Sequence, residues 1–230
     1  MRVLALDAAT EACSVALLDG DTVIGRHEEI GRGHADRILG MVDEVLAQAG
    51  MRLAALDGIA ASIGPGSFTG VRISVAVAQG LAYGADLLIA PVSTLEALAL
   101  HAVNQGAQRV LACLDARMGE VYWGCFGTDA SGAMFATTVP QVGVASTVSL
   151  PHAGIHQGIG RGFGAHDALR QIPGVVFDAR SAAALPNARE IARLGAVRLG
   201  AGGGRDPAAL EPLYLRDKVA LTELERGVNR

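Results

Sequence analysis

The 230-residue sequence is poor in charge, has no excess of positive residues, and carries only three scattered cysteines. Charged residues make up 18% of the chain against 50% hydrophobic ones, so it folds around a core and is not a disordered segment. A formal charge of -4 offers a polyanion no general attraction. That excludes a stand-alone DNA or RNA binder working by bulk charge, though not a local basic patch. No apolar run is long enough to span a bilayer. Met1-Arg2 leads straight into strand-like Val3-Leu4-Ala5-Leu6, so neither a signal peptide nor a membrane helix is expected. Cys13, Cys113 and Cys125 form no CxxC pair and sit in apolar surroundings. They are expected to be buried, reduced thiols of a cytoplasmic protein. Several catalytic signatures are also missing: no GK[ST] follows a glycine loop, and neither HExxH nor GxSxG occurs.

What is present alternates strand and helix patterns. Residues 2–6 are a short apolar run ending in Asp7-Ala8-Ala9-Thr10, and residues 13–18 and 22–26 read as two further strands. Asp19-Gly20 between the latter pair predicts a tight turn and an antiparallel meander. Residues 34–49 change period: Ala35, Ile38, Leu39, Val42, Val45, Leu46 and Ala49 recur at helical spacing, with Gly50 as the stop. A strand over 59–63 enters Gly64-Pro65-Gly66-Ser67-Phe68-Thr69-Gly70. A helix over 71–83 ended by Gly84, a strand over 87–90 and a helix over 94–103 capped by Ser93 follow. Asn104-Gln105-Gly106 marks the expected boundary between lobes 1–105 and 106–230. Beyond it, a strand over 110–114, Asp115, a turn at Met118-Gly119 and a returning strand over 121–126 repeat the opening arrangement. Residues 127–151 read as irregular or edge structure, 155–164 as glycine-dense strand and loop, and 182–199 as a helix broken or begun at Pro186. Residues 222–230 are polar enough to fray.

Three patterns bear on chemistry. In Asp7-x-x-Thr10, at a strand-to-strand turn, the Asp can hold hydrated Mg²⁺ while turn amides and hydroxyls contact phosphate, or the pair can simply form an Asx or ST turn. Asp115 holds the corresponding place in the second half. The loop from Gly64 to Gly70 lies between strand and helix, with glycines that permit close backbone approach and Ser67 placed to cap the helix. It is either a phosphate cradle or a structural turn, and it is not a dinucleotide fingerprint. His152-x-x-x-His156 has the spacing of helical metal ligands, but Pro151, Gly154, Gly158 and Gly160 make it loop and strand, so no metal site is expected there. The helix after the glycine loop is apolar nearly all round and needs cover on two sides.

Taken in order, Asp7-Ala8-Ala9-Thr10, Gly64-Pro65-Gly66-Ser67-Phe68-Thr69-Gly70-Val71-Arg72, Asp115-Ala116-Arg117 and Leu213-Tyr214-Leu215-Arg216 resemble the TsaB family along essentially the whole chain. The GPGSFTGxR run is the most specific part. The resemblance implies an α/β chain of the actin-like, sugar-kinase-like fold, related to ribonuclease H, with two similar lobes of mixed sheet and helices. It implies a non-catalytic scaffold that pairs with a larger paralogue, TsaD, which transfers threonylcarbamoyl to the tRNA adenosine 3′ of the anticodon. TsaC would supply the adenylate, the ATPase TsaE would join the pair, tRNA would be met through the complex, and a homodimer would form without TsaD.

TsaD's paired-histidine metal motif is not matched, since only His34 stands near the comparable helix. Neither a catalytic residue nor a metal site is therefore expected. Asp7, Thr10, Gly64, Gly66, Ser67 and Asp115 would be the remains of degraded phosphate loops, so ATP or ADP with Mg would bind weakly or only at complex interfaces. The family meets its partners through first-lobe helices, which assigns Ile38, Val42, Val71, Ser74, Val75 and Ala78 to that contact. The stripe holding Ile73, Val77 and Leu81 or Ala76 would then cover the sheet. The last segment of the second lobe would pack back between the lobes. The rival readings are a small-molecule kinase using Asp7 and Asp115 around Mg-ATP, a metallopeptidase using His152 and His156, and a structural homodimer unrelated to RNA.

Overall fold

The computed structural model describes residues 1–216; the expectation for residues 222–230 lies outside them. Strands β1 (Arg2–Asp7), β2 (Ala12–Asp19) and β3 (Thr22–Glu29) form the antiparallel meander, and helix α1 (His34–Ala49) follows. Then come β4 (Gly58–Ser62), α2 (Phe68–Ala85), β5 (Ile89–Val92) and α3 (Thr94–Asn104). The second half contains β6 (Arg109–Arg117), β7 (Glu120–Thr128), β8 (Met134–Ala136), β9 (Gln141–Val144) and β10 (His156–Ile159). Short helices α4 (Gly162–Ala165) and α5 (Asp167–Arg170), strand β11 (Val175–Val176), and helices α6 (Ala179–Ala183) and α7 (Ala188–Gly200) complete it.

The architectural repeat is present in detail. The first sheet runs β3-β2-β1-β4-β5, and the second runs β8-β7-β6-β10-β11 with β9 also on β7. In each, the leading strand pairs antiparallel with its hairpin partner and parallel with the strand on its other side. Met118 and Gly119 both take positive φ, which suits the two-residue β6–β7 turn.

Central strands are buried on both faces, and period-two alternation sorts their side chains. Leu4, Leu6, Val15 and Leu17 point to the layer of α1 and α2. Val3, Ala5, Ala16 and Leu18 point to the opposite layer, where α7 supplies Ala188, Ile191 and Ala192. The boundary at 104–106 therefore divides the strands but not the helices. Helix α7 covers the first sheet although it lies in the second half of the chain, and α3 packs on β6 and β7 of the second sheet. Burying both faces of this mixed sheet requires a helix from elsewhere once α1 and α2 have covered one face.

Element ends differ where capping decides them. Ser67 Oγ accepts the Gly70 amide at 3.3 Å, so α2 starts at Phe68 and not at Val71. It continues through Gly84 and ends at left-handed Asp86. Ser93 and Glu96 form a capping box on α3. Pro186 lies between α6 and α7, just before the cap Asn187. All three cysteines are free and buried, and burial pushes the Cys13 and Cys125 thiols up to about 11. No helix of the described residues is long and apolar enough to cross a membrane.

Candidate functional site

A cleft of about 760 Å³ lies between the lobes, lined by the Ala8–Glu11 turn, the starts of α1 and α2, the end of β6 from Leu114 to Arg117, Arg161 and residues 213–216. It brings together four of the six expected loop residues, Thr10, Gly66, Ser67 and Asp115, whereas Asp7 and Gly64 do not line it. Asp7 is fully buried, its Oδ1 accepts the Ala9 amide at 3.1 Å, and its Oδ2 has no partner. Burial raises its carboxyl from 3.8 to about 6.

The reason is the approach of α2 onto the turn. The Ser67 amide donates to Ala9 O at 2.7 Å, and the Ala8 amide donates to the buried Ser74 hydroxyl at 2.7 Å. Ser62 Oγ donates to Ser74 Oγ at 3.1 Å. The glycines make room: a Cβ on Gly66 would lie 2.3 Å from Ala9 O, and one on Gly70 would lie 2.0 Å from Ala8 O. Gly66 is not in the left-handed region, whereas Gly64 is, at φ 97°. Gly66 is thus required for backbone approach and not for positive φ.

In this turn the Ala8 and Ala9 amides are engaged within the chain, and the Asp7 carboxylate is sealed beneath α2. Thr10 Oγ1 accepts the Ala12 amide at 3.4 Å. Asp115 meets His166 Nε2 at 3.1 Å and Arg117 at 3.2 Å.

The raised Asp7 value has a consequence for stability. Below about pH 4 both folded and unfolded chains hold the proton. Between about pH 4 and 6 the unfolded chain releases it first, so stability falls as pH rises. Above that window a penalty of about 3 kcal/mol remains. Asp7→Asn, neutral and isosteric, is expected to be more stable than wild type at pH 7 by up to that amount, with a flatter profile between pH 4 and 6. Urea unfolding at pH 4, 5 and 7 measures this. A less stable variant at pH 7 would mean that the native charge is compensated.

The helix stripes are the reverse of the expected assignment. Val71, Ser74, Val75 and Ala78 are at most 5% exposed and face the chain's own sheet, as do Ile38 and Val42 on α1. Arg72, Ala76, Gly80 and Tyr83 form the exposed stripe of α2, with Ile73, Val77 and Leu81 half-buried at its edges. Tyr83 is 83% exposed and Leu39 on α1 is 50% exposed. The sequence showed two apolar stripes but carried no local signal for their direction. The small stripe goes inward because Ser74 and Gly70 must meet the Ala8–Ala9 backbone.

His152 is exposed and His156 is buried, its Nδ1 lying 3.2 Å from Gly154 O. Burial lowers the His156 pKa. Among the described residues, no three His, Cys, Asp or Glu side chains are grouped to hold a metal ion. Sequence reading missed Glu11 and Arg161. Glu11 pairs with Arg117 at 3.0 Å across the cleft, and Arg161 pairs with Glu29 at 2.6 Å. Nothing local in the sequence marks these pairs.

Residues 27–151 match the family described as TsaD: tRNA N6-adenosine threonylcarbamoyltransferase. The Escherichia coli K12 protein named tRNA threonylcarbamoyladenosine biosynthesis protein TsaB is 40% identical, with 97% of this chain and 98% of that protein covered. The Haemophilus influenzae protein of the same name is 37% identical, with 97% of each covered. The solved structure of YeaZ from Pseudomonas aeruginosa superposes with a TM-score of 0.86 at 41% identity, covering 93% of this chain and 99% of that one. The two mixed sheets with their repeated topology are the actin-like fold. With relatives of that name aligned from end to end and the four motifs gathered around one cleft, the chain belongs to the TsaB family.

Proposed function

We propose that this chain is a cytoplasmic, non-catalytic subunit in the formation of threonylcarbamoyladenosine on tRNA, acting as scaffold and activator for TsaD. The relatives named for that pathway support the role. The observation that carries the scaffold part is the exposed stripe of α2, where Ala76 and Gly80 lie between Arg72 and Tyr83. Exposed small residues let a second helix approach closely, and an exposed tyrosine suits an interface anchor. Leu39 extends the same apolar character on the neighbouring α1. The partner is TsaD through these faces, or a second copy of this chain when TsaD is absent. TsaE joins the pair, TsaC supplies the threonylcarbamoyl adenylate, and tRNA is met in the complex.

The chain holds no nucleotide tightly in its own cleft; the sealed Asp7 and the engaged Ala8 and Ala9 amides support that reading over a small-molecule kinase. The test is reconstitution of tRNA modification from threonine, bicarbonate, ATP, TsaC, TsaD and TsaE, with and without this chain. Modification is expected to depend on it, while the chain alone modifies nothing. Full modification in its absence, or modification by the chain without TsaD, would overturn the proposal.

A further inference from the structure

The geometry points to a two-part latch, made by residues 213–216 and by Glu11, that holds the two lobes at one separation and ties the start of α2 to the second lobe. The first part is a strap. The Leu213 amide donates to Ile63 O at 2.7 Å, just past the end of β4. The Tyr214 hydroxyl accepts from Arg72 Nε at 2.9 Å. The Arg72 guanidinium lies 3.4 Å from the Phe68 ring centroid, and the Phe68 and Tyr214 centroids are 6.0 Å apart. All these anchors belong to the first lobe. Two residues on, Arg216 has crossed to the second lobe, where it donates to Ala116 O at 3.2 Å and pairs with Glu120.

The second part is ionic. Glu11, on the β1–β2 turn, meets Arg117 at 3.0 Å and lies 3.9 Å from Arg161, which also reaches Glu29 at 2.6 Å. Both arginines come from the second lobe and both glutamates from the first. Arg117 is held in a left-handed conformation, φ 64°, with its amide on Asp115 Oδ1 at 3.0 Å. That conformation is uncommon for a non-glycine residue. Two motifs that nucleotide chemistry leaves unused, Asp115-Ala116-Arg117 and Leu213-Tyr214-Leu215-Arg216, thereby acquire a physical role as parts of the latch.

The exposed ion pairs contribute little individually and are screened by salt. The strap does not depend on charge alone, because it adds a cation over an aromatic ring and backbone hydrogen bonds. Because Tyr214 grips α2 and Arg216 grips the β6–β7 hairpin, a change at Arg72 is transmitted to the second lobe. On the partner reading above, a partner that touches Arg72 acts on the cleft by this route. The latch itself does not rest on that reading.

The test is an inter-lobe distance measured by pulsed electron spin resonance on the full chain. The native cysteines are buried, so labels go on Asp21→Cys in the β2–β3 turn, away from the α1 and α2 faces, and on Asp167→Cys in α5, both exposed positions. Wild type is expected to give one narrow distribution. Arg216→Ala and Arg72→Ala should each broaden it and shift it to longer distance, although Arg72 touches only first-lobe residues and the strap. Glu11→Gln should do so less, and about 1 M salt, where charges are screened beyond about 3 Å, should mimic it in wild type. Exchange of the Leu213 amide should accelerate about tenfold in Arg72→Ala. If Arg216→Ala fails to fold, Tyr214→Phe, which removes only the hydroxyl bonded to Arg72, gives the same reading. Unchanged distributions in the folded strap variants overturn the proposal, whatever Glu11→Gln does. Added TsaD is expected to shift the distance only when Arg72 is intact. Failure of that arm alone counts against the partner reading and leaves the latch standing.

Discussion

Val75→Glu and Ala78→Arg are expected to unfold the chain and not merely to separate it from a partner. Val75 is 5% exposed and Ala78 0%, on the stripe of α2 that packs against the first sheet. A charge placed there has no counterion, and the arginine has no room beside Leu6 and Ile59 in the same core. A cost of about 3–5 kcal/mol takes away much of the 5–15 kcal/mol by which domains are usually stable. The contrasting pair is Ala76→Arg and Tyr83→Ala on the exposed stripe. These should melt like wild type yet lose binding to TsaD by tenfold or more, the order of effect for an interface anchor. Circular dichroism reports the fold, and size-exclusion chromatography with light scattering reports association. Folded Val75→Glu and Ala78→Arg chains that no longer bind, beside Ala76→Arg and Tyr83→Ala chains that bind normally, would restore the opposite assignment of the stripes.

Gly70→Ala, the smallest possible change, is expected to be nearly as damaging as Gly66→Val. The added methyl carbon would stand 2.0 Å from Ala8 O, a backbone atom that cannot swing aside. The turn is held from both sides, by Ser67 N to Ala9 O and by Ala8 N to Ser74 Oγ, so relieving the clash breaks one of these bonds. Overpacking together with a lost buried hydrogen bond costs about 3 kcal/mol or more. For a chain of this size that is a fall of roughly 10 °C in melting temperature. Gly66→Val meets Ala9 O at 2.3 Å and Ala9 Cβ at 3.1 Å, with the same outcome. By contrast, Gly80→Ala has nothing within 4 Å and should raise the melting temperature slightly by favouring helix. Thermal unfolding of the three variants checks the order. A Gly70→Ala chain as stable as wild type would show that α2 does not press on the turn as described.

The exchange of stripes shows how far a local pattern reaches. Period and capping are local properties, so the 34–49 helix with its Gly50 stop, the meander with its Asp19-Gly20 turn, and the Ser67 and Ser93 caps were all legible in the sequence. So was the doubling of strand, acidic residue and hairpin, because each lobe builds its sheet from neighbouring segments. The motifs were legible as well, and they were enough to identify the family. Direction was not. Helix α2 is apolar nearly all round, and its orientation depends on Ser74 and Gly70 meeting a backbone turn more than 60 residues earlier. The place of α7 on the first sheet depends on strands from the opposite end of the chain, as does the bond that the Ala188 amide donates to Ser14 Oγ. The strand-end position of Asp7 left both a Mg²⁺-holding carboxylate and an Asx turn open, because the helix that seals it is not visible in sequence; the fold makes it the Asx turn. Sequence alone therefore determined the elements of the first lobe, the β6–β7 hairpin and the family the chain belongs to. Tertiary structure decided which faces are covered and which charges meet across the cleft, because those depend on contacts between segments that no local period records.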